Sequence, residues 1–356
     1  MWTAILFLLF PLALAGQDEV EEWIKKGKSD YSKGSYAAAQ AGFVVAWKAA
    51  EMLPGNDPKR YEVLKLQAAA AAALGQYAES EAFLQLAINW REVSLSREDA
   101  GIAADLTEIA MLCRAQKDLD RGLAVMQRVA SMHSRAATDQ LLLADDYSRI
   151  AQFHQDLAKT EDAVASLAAA LEIREKILGM DHPALLGELD RLAAGYVKLT
   201  EYEKSVPVYL RSLVIRERIL GKDSADLIPN VDGLAYAYFG LKQYRLAEPV
   251  YQRLLDLWLA TFGDEHPMVA LTLDKLAVFY RDQRKFAAAE DATERALIVR
   301  ERFLAGALMR EGDALVALGK TAEAGVLFER ALATLAPHAE AHGEMRKGIE
   351  KRAGGK

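Results

Sequence analysis

A repeat of 42 residues is the constraint that any fold for this chain must satisfy. Arg149-Ile150-Ala151, Arg191-Leu192-Ala193, Gly233-Leu234-Ala235 and Lys275-Leu276-Ala277 recur at that step, and Tyr196, Tyr238 and Tyr280 each follow the Ala by three residues. Later in each unit Tyr202, Tyr244 and Phe286 hold one column, and Gly179, Gly221 and Gly263 another. Toward the N-terminus the step is 41 or 42, and it shortens to 35 for the last unit. A period of this size marks stacked supersecondary units that bury a common core.

Inside each unit the apolar residues recur every three or four positions, which predicts two amphipathic helices. They are separated by a short polar turn such as Leu241-Lys242-Gln243-Tyr244. Units are separated by segments such as Gly179-Met180-Asp181-His182-Pro183. There Gly suits a left-handed helix C-cap, and Pro suits the first turn of the next helix. Each unit is therefore predicted to be a helical hairpin, and three columns of small residues set the count at eight. The first reads Gly27, Ala68, Ala110, Ala151, Ala193, Ala235, Ala277 and Gly312. Twelve residues on, the second reads Ala39, Ser80, Gly122, Ala163, Ser205, Ala247, Ala289 and Ala324. Seven further, the third reads Ala46, Ala87, Val129, Ala170, Ser212, Leu254, Ala296 and Ala331. Antiparallel helices approach closely only where such residues meet, so these columns predict the contact between the two helices of each hairpin.

Composition narrows the function. A hydrophobic content of 52% with 9 Pro and 23 Gly excludes a disordered or collagenous chain. A net charge of −7, from 44 basic and 51 acidic residues, leaves no basic footprint, so no nucleic-acid partner is expected. One cysteine, Cys113, excludes an intramolecular disulfide. The N-terminus carries an apolar run from Ile5 to Leu14, then Ala13-Leu14-Ala15 and polar Gly16-Gln17-Asp18, the pattern of a cleaved secretory leader. Residues 1–15 are expected to be that leader, with the mature chain exported and not stably inserted in a membrane; retention as an anchor stays open.

Trp23, Gly27, Tyr36, Ala39, Phe43 and Ala46 in the first unit are close to the signature of the tetratricopeptide repeat, and the chain resembles that family. Ala170-Leu171-Glu172-Ile173-Arg174-Glu175-Lys176-Ile177-Leu178-Gly179, followed by Asp181-His182-Pro183, is similar more narrowly to the repeats of kinesin light chains and their bacterial relatives. The resemblance covers residues 20 to 338. It implies an all-α, right-handed superhelical solenoid whose first helices line a concave binding surface, and it is specific for fold rather than for function.

If that geometry carries over, the groove positions lie just before and after the first small column. Two residues before it stand Lys25, Leu66, Glu108, Arg149, Arg191, Gly233, Lys275 and Arg310; three before it stand Ile24, Lys65, Thr107, Ser148, Asp190, Asp232, Asp274 and Met309. The candidate peptide-binding residues are Arg149, Gln152, Asp190, Arg191, Lys198, Asp232, Tyr236, Phe239, Asp274, Lys275 and Arg281. Kinesin light chain repeats commonly carry paired Asn where this chain has Asp190-Arg191, Asp232-Gly233 and Asp274-Lys275. An amide both donates and accepts, Asp only accepts, and Arg and Lys only donate, so the family's cargo recognition is not expected to carry over, and a groove for an extended, charged peptide is the expectation. The alternative is that these charges simply pair with one another on a solvated wall.

Other candidates are bland. Cys113 and His154 fall in the Tyr196 column and are expected between helices. His182 and His266 precede Pro in equivalent loops and are expected to start helices. His338 and His342 could hold a metal only if another ligand joined them, and are expected in a solvated tail. No phosphate loop or nucleophile triad is present. Residues 339 to 356 are expected to form a charged capping helix that frays into Gly354-Gly355. Residues 88 to 101 lack Gly and Pro until Gly101, which predicts one long helix joining units two and three. The expectation is a non-enzymatic interaction scaffold for a protein or peptide partner, without cofactor or metal. An assembly subunit docking through its convex face or edge, or an enzyme with a site in the groove, stays open beside it.

Overall fold

A computed structural model of the chain describes residues 2–96, 99–136 and 139–353, with side chains from Gln17 onward. Residues 2–15 of the expected leader are described only as backbone at the start of the first helix, and the expected fraying at Gly354-Gly355 lies outside the described residues. All regular structure among the described residues is helical, and the helices pack in consecutive pairs. The chain forms two compact units, residues 1–179 and 180–356. In the first, α1 (Trp2–Ser32) packs on α2 (Tyr36–Ala50), α3 (Pro58–Ala73) on α4 (Tyr77–Ser94), α5 (Ala100–Ala115) on α6 (Leu119–Ala136), and α7 (Gln140–Asp156) on α8 (Thr160–Leu178). In the second, α9 (Leu186–Lys198) packs on α10 (Tyr202–Leu220), α11 (Ile228–Gly240) on α12 (Tyr244–Phe262), and α13 (Pro267–Asp282) on α14 (Phe286–Ala317). α14 also packs on α15 (Thr321–Thr334), and α15 on α16 (Gly343–Ala353).

All three small-residue columns are buried from end to end. Ala110, Ala151, Ala193 and Ala235 are sealed from solvent, as are Ala39, Ser205, Ala247 and Ala324 opposite them. The Ser80 hydroxyl donates to the Ala68 carbonyl at 2.8 Å, tying the second column directly to the backbone of the first. Where the first column is Gly, a Phe sixteen residues later fills the missing volume. A Cβ at Gly27 would sit 2.3 Å from the Phe43 ring, and one at Gly312 would sit 2.5 Å from the Phe328 ring. The same partner is Leu84, Leu167 or Tyr251 where the first column is Ala. In the first and last hairpins a large ring thus compensates a missing Cβ across the contact, as close-packed interiors require.

Every hairpin turns the same way. The residue seven after the first column has positive φ in all eight units: Gly34, Gly75, Lys117, Ala158, Thr200, Lys242, Arg284 and Gly319. The N–H of the next residue then donates to the carbonyl five positions back, as in Gln76 to Ala71, Glu201 to Tyr196 and Lys320 to Leu315, each within 2.8–2.9 Å. That is the Schellman closure, which satisfies the last carbonyls of the first helix. Five non-glycine residues adopt it, so the closure is imposed by the repeat rather than by local preference.

Between units the backbone differs from the expected left-handed cap. Gly179, Gly221 and Gly263 have φ of 86°, 84° and 83°, but ψ of 159°, 164° and 172°. This is extended, positive-φ backbone that is essentially restricted to glycine. The next helix then starts on a side-chain cap. Asp57, Asp99 and Asp139 accept from the N–H two residues on at 2.9 Å. His182 and His266 do the same through Nδ1 at 3.2 and 3.3 Å, so both are helix-start residues as expected.

Two helix boundaries correct the sequence. No single helix joins units two and three, because α4 ends at Ser94 and α5 starts after the Asp99 cap. The long helix is α14 instead, 32 residues that serve as the second helix of unit seven and the first of unit eight. The shortened 35-residue step removes the Gly-Asp-His-Pro segment there, and Arg300 to Arg310 contains nothing that stops a helix.

Replacing Ala235 with Leu is expected to overpack the α11–α12 contact and destabilise the protein by ~1–3 kcal/mol, read as a lowered thermal midpoint. Conversely, Thr200→Gly relieves a β-branched residue at φ 59° and is expected to raise stability by about 1 kcal/mol in urea denaturation.

Candidate functional site

In the second unit the first helices α9, α11 and α13 carry Asp190, Asp232 and Asp274 at the same register, all half-buried. Each has a cationic partner. Asp190 pairs with Arg216 on α10 and accepts from Ser212 Oγ at 2.5 Å and Asn230 Nδ2 at 2.6 Å. Asp274 pairs with Arg300 on α14. In the middle hairpin the position of Arg216 and Arg300 is taken by Trp258, and Asp232 instead accepts from Lys275 of the next hairpin at 2.5 Å. Asp190 borders a cavity of about 410 Å³ between α9, α10 and α11, with Ala194, Tyr209, Arg216, Asp226 and Asn230. Burial pushes the Tyr209 phenol up to about 12, and the carboxylates of Asp190 and Asp232 add to the shift.

The remaining candidates scatter around this row. Arg191 is half-buried on α9, and Lys198 is exposed at its end. Tyr236 is 47% exposed on α11, its ring edge-on to Tyr202 at 6.1 Å. Phe239 is half-buried on α11. It packs between Tyr244 and Phe279, at 6.5 and 6.0 Å between ring centroids, because the chain brings the aromatic residues of two hairpins together there. Arg281 is exposed and borders a second cavity of about 620 Å³ that reaches His338. In the first unit, Arg149 lies 3.6 Å from the Asp146 carboxylate, and Gln152 is half-buried beside it in sequence.

One column escaped the sequence reasoning. Asp105, Asp146, Glu188, Asn230 and Thr272, at steps of 41 or 42, are all buried on first helices. Asp105 accepts from Tyr61 at 3.0 Å and Lys65 at 2.8 Å, with Arg91 at 3.3 Å, so it joins α5 to both helices of the hairpin before it. Asp146 meets His133 Nδ1 of the preceding hairpin at 2.5 Å. Burial raises the Asp146 carboxyl above its ordinary range, with His133 and Arg149 acting against the shift. Asn230 joins Asp190 and Ser212 in the same manner. The available signal was a polar residue recurring in phase within an otherwise apolar stripe.

Cys113 and His154 lie between helices, as expected. Burial pushes the Cys113 thiol up and the His154 imidazole down. His338 and His342 do not belong to a solvated tail. The His342 side chain is sealed from solvent, and both imidazoles converge on Glu301 of α14 because the segment after α15 folds back over that helix.

Residues 227–302 and 147–184 match the tetratricopeptide repeat family. Among solved structures, the C-terminal part of a TPR repeat-containing protein from Cytophaga hutchinsonii is similar over 78% of this chain and 95% of its own, at 14% identity and a TM-score of 0.57. The apo form of RapI is similar over 81% of this chain and 76% of its own, at 15% identity and a TM-score of 0.52. A Podosopora anserina chain of kinesin-light-chain type with nearly identical TPR-like repeats covers 58% of this chain and 98% of its own, at 18% identity and a TM-score of 0.48. At these identities the likeness is one of fold. No curated protein matches the sequence.

The raised Tyr209 phenol makes a prediction at alkaline pH. Its folded value lies above the ordinary 10.0, so the stability it contributes is complete below pH 10 and is lost as the pH rises through about 12. Tyr209→Phe is expected to flatten the fall in urea midpoint across that window and to remove phenolate absorbance that develops near its upper end.

Proposed function

Because the chain is a tetratricopeptide repeat protein, a family whose domains bind protein partners, we propose that it is a non-enzymatic scaffold that holds an extended, charged polypeptide along α9, α11 and α13. The observation that carries this reading is the row Asp190, Asp232 and Asp274 in register, with Lys275 among them and Tyr236 exposed beside them. First helices of adjacent hairpins spaced ~8–10 Å apart would meet about every third residue of an extended peptide. The internal ion pairs do not oppose such a ligand. Partly exposed pairs are each worth ~0–1 kcal/mol, so a peptide that exchanges one partner for another loses little. Tyr236 would supply the apolar contact and Lys198 a donor at the edge.

A second reading, permanent docking of a partner on second helices, is favoured by Leu210 and Val214 on α10. They are 42% and 62% exposed and one helical turn apart. The apolar run Ile5 to Leu14 with Ala13-Leu14-Ala15 supports the further proposal that the protein is exported after removal of residues 1–15.

Tyr236→Ala and Lys198→Glu leave the buried columns untouched. In a pull-down of the natural partner, Tyr236→Ala is expected to weaken binding by ~1–2 kcal/mol, about tenfold, and Lys198→Glu to weaken it at low salt and lessen its salt sensitivity. Equal recovery by both variants, with loss of recovery on Val214→Glu, would replace the groove with α10. Intact mass of the protein from the envelope or secreted fraction is expected to match a chain starting at Gly16, and an uncut N-terminus there would overturn cleavage.

A further inference from the structure

Glu301, His338 and His342 are 37 and 41 residues apart in sequence but meet at one point in the second unit. Glu301 projects from α14, whereas both histidines lie in the segment between α15 and α16. Glu301 Oε2 is 2.9 Å from His338 Nδ1 and 2.7 Å from His342 Nε2. One potential ligand atom from each residue lies within 4.8 Å of the other two. The side chains are largely withdrawn from water, with exposures of 16% for Glu301, 22% for His338 and none for His342.

We propose that these three residues form a binding site for a divalent transition-metal ion of the zinc type. Two neutral imidazoles and a carboxylate are a donor set that suits such ions better than magnesium or calcium, which prefer all-oxygen shells. Ligand atoms at ~2.0–2.2 Å from one ion stand about 3.3 Å apart, close to the spacing already present, so loading needs only small side-chain shifts. With three protein ligands, a fourth position would be left to water. His338 borders the cavity of about 620 Å³, which provides a route for the ion and room for a water ligand. Glu265, Glu340 and Glu344 border a second cavity of about 460 Å³ that His342 and Arg302 also line.

Binding through His338 Nδ1 and His342 Nε2 moves the single hydrogen that each neutral imidazole directs toward Glu301 to its other ring nitrogen, with no net proton loss. With His342 bound through Nε2, its Nδ1 carries the remaining hydrogen and gives up its 3.4 Å contact with Arg302. Arg302 keeps Asp264 at 2.7 Å and the Ala341 carbonyl at 2.7 Å, so its charge stays paired. The ion would staple the segment carrying His338 and His342, and α16 with it, onto α14, closing the end of the last hairpin.

The test is calorimetric titration of zinc chloride into the chelator-stripped full chain. Wild type is expected to bind one ion per chain and to gain thermal stability on loading. Glu301→Gln and His338→Gln, each chosen to keep shape and checked for unchanged circular dichroism, are expected to weaken zinc binding roughly 10- to 100-fold or more. Cobalt(II) in wild type is expected to give the strong visible absorption of a four-coordinate site. Absence of zinc binding, equal binding by both variants, or only the weak spectrum of octahedral cobalt would overturn the proposal.

Discussion

The close approach of two antiparallel helices through small side chains is the interaction on which the rest of this structure depends. A helix brings its neighbour near only where no large side chain intervenes, and here the Gly, Ala and Ser positions of the first two columns are buried in every hairpin. That contact fixes where each first helix must end and how the chain must reverse. It is strong enough to hold Lys117, Ala158, Thr200, Lys242 and Arg284 at positive φ, which non-glycine residues adopt only at a cost of ~1–2 kcal/mol. Volume is then matched across the contact, with Phe43 opposite Gly27 and Phe328 opposite Gly312.

Within each unit, polar groups also tie one hairpin to another. Asp105, Asp146 and Asn230 occupy one register of the first helices, and each reaches a polar group of the preceding hairpin. A buried carboxylate is costly unless it is satisfied, so such residues reject any stacking that misplaces their partners. The partly exposed Asp232 and Asp274 lie farther out, where exchange of partners costs little, whereas Asp190 also holds Ser212 and Asn230. The same helices thus carry polar groups that fix assembly and charged groups that remain available to a ligand.

The hairpins and their contacts were legible in the sequence because small residues at fixed spacing have no other common explanation. Helix boundaries were legible only where a loop leaves a signature. The deleted loop between units seven and eight was visible as a shorter step, yet its consequence, the fused α14, depended on helix-compatible residues from Arg300 to Arg310. Residues 88 to 101 lack Gly and Pro until Gly101, but Asp99 caps a new helix there. Asp190, Asp232 and Asp274 were found from their register. Phe239, seven residues after Asp232, packs against Tyr244 of its own hairpin and Phe279 of the next, and one position in a helix cannot reveal that. His338 and His342 gave a spacing without their third member, since Glu301 lies on another helix and only the folded chain brings it near.

The central claim concerns the sign of one substitution. By helix propensity alone, Gly27→Ala in the interior of α1 should stabilise the protein by about 1 kcal/mol. A Cβ there would lie 2.3 Å from the buried Phe43 ring, so a contact-limited hairpin predicts destabilisation instead, by ~1–3 kcal/mol, with recovery when Phe43→Leu is added. Urea denaturation of the two single variants and the double variant measures this directly. A rise in stability for Gly27→Ala alone, or no coupling to Phe43, would contradict the account.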